Sequence, residues 1–182
     1  MLELKVSEKE LFNDDEGTFV AVAAQTLELE HSLISVSKWE SKWRKPFLIE
    51  GKHDPEAYVD YIRCMCITRN VPEEVFLSLS SEEIQLVTEY IDTEQTATWF
   101  NETPGDNKPK STQAITSELI YYWMIAYNVP AEYQKWPLSR LLTLIRVCEA
   151  KNAPQKKQSK AELHARMRAL NAERRAKQNG KG

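Results

Sequence analysis

The sequence predicts a mainly α protein of the α+β kind: a small N-terminal β-hairpin or sheet, then a compact helical bundle, then a basic C-terminal helix or arm. Three observations predict it. Apolar residues alternate at period two within residues 1–30, recur at helical spacing behind capping residues over 31–150, and give way to a run of positive charge over 151–182. A chain of 182 residues has room for one hydrophobic core and an appendage, and five glycines are too few for a turn-rich sandwich or barrel.

The β element comes first. Leu2-Glu3-Leu4-Lys5-Val6 and Leu27-Glu28-Leu29-Glu30 alternate, and between them the turn cluster Asn13-Asp14-Asp15-Glu16-Gly17 precedes the β-favouring run Thr18 to Val22. A hairpin or three-stranded sheet of this size needs something to pack against.

The helices follow. Ser32 caps a helix carrying Leu33, Val36, Glu40 and Trp43 near one face, and Lys45-Pro46 stops it. Asp54-Pro55-Glu56 opens the next, with a capping carboxylate and proline at the first helical position; Val59, Ile62 and Cys66 fall at core spacing. Ser80 with Glu83 forms a capping box before Ile84, Val87 and Ile91, and Thr103 to Ser111 reads as a surface loop. The segment from Ile115 to Ala126 is apolar nearly all round, which describes the central helix of a bundle, with Trp123 in the core. Trp136-Pro137-Leu138 opens a helix with Leu141, Leu142, Ile145 and Cys148 on one side. Asn70-Val71-Pro72 recurs as Asn128-Val129-Pro130, 58 residues later. Two readings stand: a duplicated helical module, or common helix punctuation, which is the favoured one.

Charge separates the chain in two. Of its 24 basic and 27 acidic residues, ten and two fall in 151–182, a net of +8; this leaves 14 and 25 in 1–150, a net of −11. Such segregation is an argument about association. The arm has Ser159 and Glu162 at capping positions and a thin stripe of Leu163, Met167 and Leu170, so it is a marginal helix alone. Its cations suit phosphates, but it holds no aromatic for stacking on bases and the acidic body repels a polyanion. Docking to an acidic protein surface, including a neighbouring copy of the same body, is favoured over nucleic acid.

Chemistry is sparse. Glu73-Glu74 and Glu82-Glu83 sit in first helical turns, where the helix dipole explains them. The chain has no Gly-rich phosphate loop and no H-E-x-x-H. Cys64, Cys66 and Cys148 read as buried free thiols, because His31, His53 and His164 are scattered and complete no zinc set. The expectation is therefore no catalytic residue, no metal, no cofactor and no enzyme. With no basic-then-apolar start and no apolar run near the length of a bilayer, no secretory signal and no membrane span are expected. The candidate partner-binding residues are the aromatics Trp39, Trp43, Phe47, Trp99 and Phe100 and the arm cations Arg166, Arg168, Arg174 and Arg175. For the aromatics core packing is favoured over docking, for Trp99-Phe100 as well, although that pair beside the loop is the best placed for exposure.

Four stretches carry a resemblance: Leu27 to Trp43, Ala97-Thr98-Trp99-Phe100, Glu118 to Met124, and Gln134 to Leu142, with the arm around Arg168-Ala169-Leu170-Asn171-Ala172. Together they resemble the tail assembly chaperones of long-tailed bacteriophages. The resemblance implies a helical protein of the host cytoplasm, absent from the mature virion, that coats the tape measure protein and keeps it soluble while tail-tube subunits polymerise. It also implies self-association, possible contact with the tail tube protein, and a longer frameshifted form diverging near the arm. The alternatives are a structural neck or tail subunit retained in the particle, and a nucleic-acid-binding protein using the arm.

Overall fold

The computed structural model describes residues 1–13, 17–49, 54–100, 114–152, 167, 168, 170 and 171. Its contacts divide the chain into two units, Met1–Glu149 and Ala150–Gly182.

Strands β1 (Leu2–Val6), β2 (Lys9–Asn13), β3 (Thr18–Val22) and β4 (Gln25–Leu29) form two antiparallel ladders, β1 with β4 and β2 with β3. The register runs through both without a slip. Val6 faces Gln25 and Lys9 faces Val22, so Ser7 and Glu8 stand opposite Ala24 and Ala23. The element is thus one long ribbon with an unpaired waist. Strand β2 was not legible, because Lys9, Glu10 and Asn13 are poor strand formers that pair only since β3 lies opposite. Gly17 holds the left-handed conformation (φ 63°) that the expected turn cluster requires at its end; the acids at 14–16 lie outside the described residues.

Period-two burial fixes which side of the ribbon faces the core: Leu4, Val6, Val22, Leu27 and Leu29 are buried. The free edge of β4 is covered. Glu30 N–H donates to the Met65 carbonyl (3.0 Å), Ile67 N–H to the Glu28 carbonyl (2.8 Å) and Glu28 N–H to Thr68 Oγ1 (2.8 Å). Lys9 pins the outer half of the ribbon through Glu83 (2.6 Å) and the Ser78 carbonyl (3.0 Å).

The helices are α1 (Leu33–Trp43), α2 (Pro55–Met65), α3 (Glu73–Leu77), α4 (Ser81–Asp92), α5 (Ser117–Ala126) and α6 (Leu138–Asn152), with a short 3₁₀ helix at Ala131–Lys135. Ser32 caps α1 by accepting Ser35 N–H, and the Ser80–Glu83 capping box opens α4. Helix α1 stops one residue before Lys45-Pro46, at Arg44, which turns left-handed (φ 54°) and donates its N–H to the Glu40 carbonyl. Asp54 stands at the N-cap of α2 but makes no side-chain capping bond. Of the positions expected at core spacing Ile62 is buried and Val59 and Cys66 are partly buried against the core, while Ala57, Tyr61 and Met65 complete the buried face.

Helix α1 is the helix at the centre, with α2 and α5 both packed on it. The expectation that α5 is central is corrected: only Ser117, Ile120 and Met124 of it are buried, Trp123 is half-buried, and Tyr122 and Ile125 are 64% and 76% exposed. An all-apolar helix reads as central because composition does not say which side a neighbour occupies. The Asn-Val-Pro echo proves to be structural punctuation in both copies. Asn70 and Asn128 are both left-handed (φ 57° and 54°), and each proline begins a five-residue helix, α3 or the 3₁₀ segment. Both copies also follow a long helix and precede a short and then a long one.

A buried carboxylate ties these parts together. Glu40 on α1 accepts Phe47 N–H through Oε1 and Ser117 N–H through Oε2, both at 2.8 Å, and is 7% exposed. The second bond lies at the N-terminus of α5, where the helix dipole favours a negative charge. Glu40→Gln replaces one acceptor with a donor and orphans one of these N–H groups. The expected cost is about 2 kcal/mol, read by urea denaturation.

Candidate docking surfaces

The predicted aromatic sites separate into a core set and a surface set. Trp39 and Phe47 are 1% and 6% exposed. The Trp39 indole N–H donates to the Ala57 carbonyl (2.6 Å), and its ring meets Phe47 and Tyr61 edge-on at 5.2 and 6.5 Å. Phe47 stacks on Tyr61 at 3.7 Å between ring centres. These two are therefore corrected from docking candidates to core residues. The spacing Trp39, Trp43, Phe47 looks like a docking stripe only because the ring that covers it, Tyr61, arrives from another helix.

Trp43 lies at the edge of the block. It stacks on Trp39 (6.0 Å) and donates its indole N–H to Asp60 Oδ2 (2.8 Å), while Lys42 Nζ holds Asp60 Oδ1 (2.5 Å). Burial would raise the Asp60 carboxyl, but the bonds from Lys42 and Trp43 outweigh it and hold it below the usual carboxylate value. Trp43 also lines a cleft of about 310 Å³ with Val59, Phe76 and the exposed Leu77.

His31 belongs to the same buried block. Its Nδ1 shares a hydrogen bond with the Tyr61 hydroxyl, and its ring meets those of Tyr61 and Phe47 at 5.8 and 6.3 Å. Burial lowers the imidazole to about 4 and pushes the Tyr61 phenol well above its usual value, so both are neutral at pH 7. The thiols are not activated either: burial raises Cys64 and Cys66, and both are half-buried.

Trp99 and Phe100 do reach the surface set. The extended segment after α4 is pinned to α6 by Gln95 N–H donating to Ser139 Oγ (3.2 Å). Trp99 is 79% exposed, the most exposed large apolar side chain among the described residues, while Phe100 is half-buried with the Arg146 guanidinium 4.3 Å over its ring. The two aromatics, Leu142, Thr143 and Arg146 line a cleft of about 410 Å³. On the other side of the segment a second cleft of about 540 Å³ is lined by Trp136, Arg140, Leu144 and Val147, and it shares Thr96, Thr98 and Thr143 with the first. There Tyr133, Trp136 and Arg140 form a pile, with 4.1 Å between the rings and 4.2 Å from guanidinium to indole. Stacked arginines are held with their forks pre-set for planar acceptors such as carboxylates.

The Arg140 and Arg146 contributions went unread in the sequence: Trp136 is extended just ahead of α6, so its contact with Arg140 is not a pair within one helix, and Phe100 lies far from Arg146 along the chain. Of the arm cations, Arg168 is helical and exposed, with residues 167, 170 and 171 also helical; Arg166, Arg174 and Arg175 lie outside the described residues, as does the loop from Thr103 to Ser111.

Among the described residues no helix is long and apolar enough to cross a membrane. No protein-family model, curated protein or solved structure matches the chain.

Proposed function

We propose that this chain is a non-catalytic assembly protein that holds a helical partner on its surface. In its specific form it is a phage tail assembly chaperone, keeping the tape measure protein soluble in the host cytoplasm and leaving before the particle is complete. The observation that carries the reading is Trp99, 79% exposed at the mouth of a cleft and held there by the Gln95–Ser139 bond. An indole kept in water on a fixed segment is costly unless something covers it, and tryptophan favours the centres of interfaces. The neighbouring Arg140–Trp136 stack offers charged donors beside an apolar floor. That combination suits a helix with an apolar stripe and flanking carboxylates. The phage assignment rests on the resemblance of residues 27–43, 97–100, 118–124 and 134–142, and the segregated charge supports an association role.

A chaperone of this kind acts in several copies and self-associates along its client. Mass spectrometry of purified particles tests the reading against a structural subunit. The expected result is absence of the chain from finished virions; presence in fixed copy number contradicts the chaperone and favours a neck or tail component.

A further inference from the structure

Helix α5 raises a separate question, because its outward face is built unlike that of its counterpart on α1. Helix α2 turns charge toward water: Glu56 and Arg63 are exposed, while Asp60 is mostly buried in an ion pair with the exposed Lys42 of α1. Helix α5 packs on the same central helix, yet exposes Tyr122 and Ile125 at 64% and 76%. Glu118 is the only charged residue from Ser111 to Ala131. A helix facing only water has no reason to be apolar on that side.

We infer that the outward face of α5 is a homotypic interface, in which α5 of one copy packs antiparallel on α5 of a second about a two-fold axis at Tyr122. At about 100° per residue, Glu118, Leu119, Ile125 and Ala126 all lie within about 60° of Tyr122, while the buried Ile120 and Met124 point the other way. The face is self-complementary about that centre. Antiparallel pairing sets Leu119 against Ile125, and the long Glu118 against the small Ala126. It also keeps the two Glu118 carboxylates about 12 Å apart along the axis, whereas parallel pairing sets them side by side.

Charge favours this patch over others. The body carries a net −11, so two copies approach best where the surface is almost uncharged, and the arm brings the whole chain to −3. A contact of one ten-residue helix is small against a standard interface of about 800 Å² per partner, so the dimer is weak and reversible, with a Kd on the order of 100 μM. The inference gives the self-association in the proposed function a surface and a symmetry, and does not depend on the tape measure reading.

Sedimentation equilibrium of the full chain across about 5 to 500 μM tests it. The expected result is a monomer–dimer equilibrium that Tyr122→Glu or Ile125→Glu weakens at least tenfold, with unchanged circular dichroism and melting. Leu86→Glu, at an exposed apolar position on α4, leaves it intact. Ile125→Ala provides a milder variant if the acidic ones fold poorly, and it also weakens the dimer. A wild-type chain that is monomeric at 500 μM overturns the inference. So does a dimer that survives both α5 variants, or one that Leu86→Glu weakens equally. If the wild type is monomeric but Ile125→Glu loses a client protein, the face belongs to that client and not to a second copy. A Trp99 variant that loses the client while still dimerising separates failure at one surface from failure at the other.

Discussion

Trp39→Ala is expected to destabilise the protein by about 4 kcal/mol, the largest effect of any single substitution considered. The side chain is 1% exposed, contacts Phe47, Tyr61 and Trp43, and donates to the Ala57 carbonyl on α2. Its removal leaves a void where α1, α2 and the Phe47 segment meet, and these close-packed rings have little freedom to collapse into it. Against a total stability of about 5–15 kcal/mol, such a loss lowers the melting temperature by about 10 °C. Trp39→Phe keeps most of the ring and loses the indole hydrogen bond, at about 1 kcal/mol plus a smaller packing term. Thermal melts of the two variants check the order. A Trp39→Ala protein that melts with the wild type would return this residue to the surface set.

The second large effect is acid destabilisation through His31. Burial lowers its folded value from 6.5 to about 4, so between those limits the unfolded chain binds more protons than the folded one. Stability from this group is complete above pH 6.5 and is lost as pH falls toward 4, by about 3 kcal/mol. The physical event is an imidazolium forced among Tyr61 and Phe47, where water cannot reach it. Asp60 and Glu83, both held below their ordinary values in the fold, add to the loss at the acid end of the range. Urea unfolding at half-unit steps from pH 7.5 to 4 measures the slope. In His31→Asn, whose amide offers Tyr61 a neutral partner, the slope between pH 6.5 and 5 is expected to flatten. A wild-type stability independent of pH over that interval contradicts a buried neutral His31.

The residues that were legible in the sequence are those whose partners lie a few positions away. Ser32 and Ser80 cap their helices because the amides they accept are three residues on, and the Glu83 that completes the box is equally local. The alternation in Leu2–Val6 and Leu27–Leu29 fixed a buried side before any partner was known. What the chain does not spell out is which element arrives from a distance. Trp39 and Trp43 share a helix and a spacing, but Tyr61 covers one and Asp60 captures the other at the rim. Helix α5 has apolar residues on every side, and only the presence of α1 under Ile120 and Met124 decides that Tyr122 faces out. Glu40 looked like a helix-face residue, and its two backbone partners, at Phe47 and Ser117, could not be read from spacing. Trp99 was only half legible: its place between a helix end and a loop marked it as a candidate for exposure, but its large apolar area argued for the core, and the structure leaves it 79% exposed.

Under the proposed function the Trp99 cleft faces a client and the α5 face serves a second copy, while the aromatic block of Trp39, Phe47, Tyr61 and His31 joins α1 and α2. In the proposed function the acidic body and basic arm bring several such copies together around one long helical client.

In the proposed function the chain keeps a tape measure protein in solution through the Trp99 cleft. Co-expression of the two, followed by measurement of soluble tape measure protein with wild-type chain, with Trp99→Ala and with no chain, tests it most directly. Expected are soluble tape measure protein with the wild type, a several-fold loss with Trp99→Ala at an equal level of folded chain, and precipitation without it. Tape measure protein that is equally soluble in all three cases would rule the proposed role out.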